Sequence, residues 1–122
     1  MNVLVRLLLW CILVSFPASA MAQEVGQGLL CDTEAQIREV VKLANETHDL
    51  EASVEKVNSG SLACGVAPVA FIRGEIVGEI RAPEGLRDIV KITIIGVVMP
   101  QGIQPVPPME QFTLFVKQGE EA

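Results

Sequence analysis

The sequence predicts an α+β domain: a pair of helices packed on a four-stranded antiparallel β-meander, tied by one disulfide and preceded by an export signal. Three observations carry this. Apolar residues recur with a helical period between Thr33 and Val57. From Val66 onward the period changes to the alternation of strands. Two cysteines, Cys31 and Cys64, flank the helical stretch.

The first 22 residues read as a signal peptide. Arg6 is the only charge before an apolar run from Leu7 to Phe16 that only Ser15 interrupts. Pro17 breaks the run, and Ala18-Ser19-Ala20 and Ala20-Met21-Ala22 both fit the small-x-small cleavage rule. Cleavage after Ala22 makes Gln23 the first mature residue, with cleavage after Ala20 as the alternative. The chain then divides into a signal, 1–22, and a single exported domain, 23–122. The apolar run falls short of the roughly 20 residues that span a bilayer, so no stable membrane insertion is expected after cleavage. Trp10 stands where a lipid-modified Cys11 would need a small neighbour, which argues against a lipoprotein.

Removing the signal takes away Arg6 and Cys11. Fifteen acidic residues then face eight basic ones, a net charge of −7. An acidic chain without a basic cluster repels phosphate backbones, so nucleic acid is not an expected partner. Two cysteines remain, and an even pair in an oxidising compartment forms a disulfide. Closing the Cys31–Cys64 loop stabilises by about 3.8 kcal/mol in the chain-entropy model. The Cys-x-x-Cys spacing of a redox motif is absent.

Gln23 to Leu30, with Gly26 and Gly28, reads as a short lead-in. Thr33 and Gln36 match a capping box, and Glu34 complements the positive end of the helix dipole. Ile37, Val40, Val41 and Ala44 form the apolar stripe of a helix that ends near Thr47, and His48 falls near that stripe. A second helix, capped by Asp49, places Leu50, Val54 and Val57 on one side and stops at Asn58-Ser59-Gly60. A single helix bent near His48 is the competing reading. Antiparallel helices would return Cys64 to the end where Cys31 lies.

Val66 to Ile72 is the first expected strand, placed at an edge by Pro68, which lacks an N–H. Arg73-Gly74 reads as a turn, Glu75 to Arg81 as the second strand and Ala82 to Gly85 as another turn. Arg87 to Met99 is apolar on both faces and belongs mid-sheet. Pro100 to Pro108, with four prolines, reads as a loop. Glu110 to Lys117 is the last strand, with Phe112, Leu114 and Val116 inward and Phe115 unexplained by that face. Gln118 to Ala122 is a polar tail. A small barrel with the helices at one end is the alternative architecture.

The residues that carry chemistry are few. His48 is the only histidine, too little for an imidazole metal site or a triad; it reads as a helix-end residue. General acid–base work needs two carboxylates in one cleft with separated pKa values. Glu75 and Glu79 are the best-placed pair, within reach of Arg81 or Arg87, but the carboxylates as a set suit a solvated face. Asn45-Glu46-Thr47 matches a glycosylation acceptor by chance on a helix, and Pro105 to Pro108 reads as a stiff connection rather than a polyproline ligand. No cofactor or metal is expected. Four Phe and no Tyr leave little aromatic surface for sugars or protein hot spots.

Gly28-Leu29-Leu30-Cys31-Asp32, Ala63-Cys64-Gly65-Val66-Ala67 and the Ile/Val-rich strand from Ile89 to Val98 resemble small exported proteins of Gram-negative bacteria, hypothetical proteins of unknown function. The resemblance implies periplasmic or secreted placement and carries over no active residue. The expected function is therefore non-catalytic: a stapled exported domain that binds another protein or serves an envelope assembly. A pocket between helices and sheet would instead make it a small-ligand carrier. A carboxylate-dependent hydrolase is the third reading.

Overall fold

The computed structural model describes residues 23–59 and 62–117. The expected signal, Ala22 included, and the polar tail lie outside the described residues. The order is β1 (Gln23–Cys31), α1 (Glu34–Thr47), α2 (Leu50–Val57), β2 (Cys64–Ala82), β3 (Gly85–Met99) and β4 (Gly102–Val116). The four strands are antiparallel and join in a closed ring in chain order. The ring, which the sequence offers only as the alternative to an open meander, is closed thinly. β1 meets β4 at one backbone pair, Cys31 opposite Phe112, and the Thr113 hydroxyl donates to the Leu29 carbonyl at 2.7 Å nearby.

Both helices begin where their caps require. The Gln36 N–H donates to Thr33 Oγ1 at 3.1 Å, and the Thr33 N–H donates back to Gln36 Oε1 at 3.0 Å. Asp49 Oδ1 accepts from the Ala52 N–H at 3.0 Å. Between the helices His48 takes a left-handed backbone, φ 58°, and its N–H closes α1 on the Ala44 carbonyl. That turn ends the first helix, so a single bent helix is not formed. His48 itself is exposed and contributes nothing to the apolar stripe.

The lead-in expected at Gln23–Leu30 is instead a strand. Its inward positions at first are Gly26 and Gly28, while Val25 points to water, so its alternation carries no apolar signal. The turn expected at Arg73-Gly74 does not form either. β2 runs through it, with register shifts between Arg73 and Ile76 and again between Ile76 and Gly78. A side chain on Gly74 would start 2.6 Å from the Lys91 carbonyl oxygen, so glycine here permits close approach of two strands at a bulge.

The Pro100–Pro108 loop shrinks to a turn at Pro100-Gln101, and the rest belongs to β4. β3 advances from Ile94 to Gly96 while β4 passes from Met109 back to Pro105. The irregularity takes up Pro107-Pro108 and directs Val106 against the core. Proline is tolerated because that stretch of β4 has a ladder on one side only. Pro68 is similar: it pairs with Gln27 of β1, and the β2–β3 ladder starts one residue later, at Val69.

Two apolar clusters occupy opposite faces of the strands. Leu29, Cys31, Cys64 and Ile89 pack with Ile37 and Val40 of α1, with Phe112 and Leu114 beside them. Leu30, Val69, Phe71, Val90, Ile92 and Ile94 form a second cluster with no helical member, joined by Phe115. Strict alternation explains this division in β3, where Ile89 goes one way and Val90, Ile92 and Ile94 the other. Phe115, orphaned by a one-sided sheet, is accounted for: its ring lies 5.9 Å from that of Phe71 inside the curl, and the Arg73 guanidinium covers it at 3.6 Å.

Candidate functional site

The disulfide removes the thiols from any chemistry. Cys31 and Cys64 are bonded at 2.06 Å and buried at 0% and 7% exposure. They are neighbours because β1 and β2 pair antiparallel, with these two residues opposite each other. The helices form the insertion that the bond closes. Among the described residues no group of three His, Cys, Asp or Glu is placed to hold a metal ion, and no helix is long and apolar enough to cross a membrane.

Glu75 and Glu79, the best-placed carboxylates in the sequence, are held differently by the fold. Register shifts between Arg73 and Ile76 and between Ile76 and Gly78 interrupt the regular alternation between them. Glu79 stands opposite Asp88 on β3, and Lys117 reaches both, at 3.5 Å and 3.9 Å. Glu75 is exposed on the bulged segment. Neither glutamate lines the cleft between the helices and the strands, and Gln23 lies exposed at the start of β1.

What the fold does build is a cleft of about 300 Å³ between the helices and the strands. Val41 and Ala44 of α1 and Leu50 of α2 form one wall. Leu29 of β1 and Leu114 of β4 form the other. The β2–β3 turn, Ala82-Pro83-Glu84, closes one side, and His48 stands at the helix junction. Among the described residues, His48 and Glu84 bring the only polar side chains to an otherwise apolar lining. The volume is at the lower end of the range for small-molecule sites, which are typically apolar with a few polar groups.

Local chemistry positions each wall. The left-handed residue His48 ends α1, and Leu50 at the start of α2 then borders the cleft. Asn45 Nδ2 donates to the Arg81 carbonyl at 2.9 Å and so ties α1 to the strand that enters the turn. Tight pairing of Ala82 with Gly85, whose φ is +134°, holds Pro83 and Glu84 at the hairpin tip. The sequence marks His48 and the turn separately, but nothing local joins them. Asn45, whose acceptor motif has no bearing on the cleft, acts here as the tether.

Comparison of this chain with protein family models, with curated proteins and with solved structures finds no match.

Proposed function

We propose that the chain is an exported, non-catalytic binding domain that carries a small apolar ligand in the cleft between α1, α2 and the strands. The observation that supports this is the cleft itself: about 300 Å³, apolar in its lining, with polar side chains among the described residues only from His48 and Glu84. The signal-like segment and the paired cysteines support export. Apolar burial supplies the affinity, and the two polar residues at the mouth orient whatever polar end the ligand has.

The test uses protein expressed from the full 122-residue chain and recovered from the periplasmic or culture fraction. Mass measurement of that material gives the N-terminus, expected at Gln23. Titration with 1-anilinonaphthalene-8-sulfonate and straight-chain C6–C10 alcohols is expected to show one saturable site for at least one of them. Ala44→Leu, which narrows the cleft from a position 4% exposed, weakens that binding tenfold or more. Absence of saturation, or equal affinity in the folded variant, overturns the reading.

A further inference from the structure

A second surface lies outside the cleft, where α2 meets the start of β2. Leu50 and Val54 of α2 and Val66 of β2 line a groove of about 560 Å³ bordered by Glu51 and Glu55. Val66 also borders a neighbouring groove of about 260 Å³ that includes Leu62 and Met109, so the two meet at that residue. Leu62 is 91% exposed, Met109 49%, Val66 48% and Leu50 44%. Single apolar residues on a surface are ordinary, but several that join into one strip mark an interaction site.

Among the described residues that line the two grooves, every charged side chain is acidic. At about 100° per residue, Leu50 and Val54 share a side of α2, Glu51 and Glu55 share the adjoining flank, and Lys56 points roughly 160° away from Val54. Among the described residues neither Glu51 nor Glu55 forms an ion pair. An apolar strip edged by unpaired carboxylates selects a partner that brings apolar anchors with cations beside them. A second copy of this acidic chain brings the wrong sign, and so does an anionic lipid surface.

We infer that the strip from Leu50 and Val54 through Val66 to Leu62 and Met109 docks a basic amphipathic segment of a partner protein. Apolar side chains of that segment enter the two grooves, and its Lys or Arg side chains face Glu51 and Glu55. Only Leu50 also borders the ligand cleft, and it is left unchanged in the tests of both sites.

The probe is a fluorescein-labelled 14-residue Lys/Leu amphipathic peptide, with a Glu/Leu peptide of the same pattern as control, followed by anisotropy. Saturable binding of the Lys/Leu peptide, at least tenfold tighter than the Glu/Leu peptide, is expected. Leu62→Asp, at a position that bears little on folding, and the double variant Glu51→Lys/Glu55→Lys each weaken it tenfold or more. Glu39→Lys/Glu75→Lys makes the same change in net charge at carboxylates that line neither groove, and affinity falls less than threefold. No saturable binding, equal binding of the two peptides, or an equal loss in both double variants overturns the inference.

Discussion

Cys31 and Cys64 stand directly opposite each other in the β1–β2 ladder, with their Cα atoms 4.1 Å apart and a bond between their sulfurs. They are 33 positions apart in sequence, and both helices lie between them. The bond therefore does two things at once. It fixes the register of β1 against β2, and it closes the helical insertion at its base. Replacing both with alanine is expected to lower stability by about 3–4 kcal/mol, chiefly by freeing the unfolded chain. Urea unfolding with matched m-values measures it. A loss below about 1 kcal/mol would mean that the ladder holds its register without the bond.

Two glycines of β2 make opposite predictions. Gly74 faces backbone: an added Cβ meets the Lys91 carbonyl oxygen at 2.6 Å, and Lys91 is itself held opposite Phe112 in the β3–β4 ladder. Gly74→Ala is expected to cost about 1–3 kcal/mol. Gly78 faces the Arg38 guanidinium and the Glu34 carboxylate, the ends of two flexible side chains on α1. Those ends move aside, so Gly78→Ala should stay within about 0.5 kcal/mol of the parent. Thermal melts of the two variants side by side decide whether close backbone approach, rather than glycine content, holds the bulge.

The helices were legible in the sequence because their signals are local. Thr33 with Gln36, Asp49 three residues before Ala52, and the Ile37–Val40–Val41–Ala44 stripe each lie within two turns of chain. The strands were less legible because their signals depend on partners. Gly26 and Gly28 read as loop residues, yet they face inward beside Phe71 and Thr113 of other strands. Gly74 reads as a turn until Lys91 is placed against it. Pro105 to Pro108 read as a connection because the lost N–H groups matter only where a ladder needs them. The cleft draws on β1, both helices, one hairpin tip and β4, so its pieces are visible singly and their meeting is not.

Glu24 and Arg73 give the chain a dependence on acid. Arg73 Nε and Nη2 donate to the two carboxylate oxygens of Glu24 at 3.0 Å and 2.7 Å. That hydrogen bonding holds the Glu24 carboxyl below the usual carboxylate range, aided by the attraction of the two charges and opposed by slight burial. A lowered folded pKa means that the contribution is present above the unfolded value and is lost as pH falls through the folded one. Both side chains are more than a third exposed, so the effect stays below about 1 kcal/mol. Glu24→Gln should therefore destabilise slightly at pH 7 and match the parent near pH 2. Arg73→Lys loses both the paired donors and the stacking on Phe115, and is expected to cost more than Glu24→Gln at pH 7. Denaturant midpoints from pH 2 to 7 separate these outcomes.

Asn58 holds the point where the helical insertion rejoins the strands. Its Oδ1 accepts from the Ala63 N–H at 3.0 Å and the Cys64 N–H at 2.7 Å, and its Nδ2 donates to the Cys64 carbonyl at 2.7 Å. Ala63 and Cys64 are 8% and 7% exposed, so water replaces these bonds poorly. Alanine at this position leaves two amides and one carbonyl without partners, which should cost about 2–4 kcal/mol. Asn58→Asp keeps the acceptor and loses the donor, so its cost should fall between the parent and Asn58→Ala. The decisive reading is local: hydrogen exchange at the Ala63 and Cys64 amides should quicken in Asn58→Ala while the β3 core amides keep their order of protection. Were those two amides to stay protected, the disulfide and the backbone bond from the Asp32 N–H to the Ala63 carbonyl at 2.9 Å would be sufficient to anchor the start of β2.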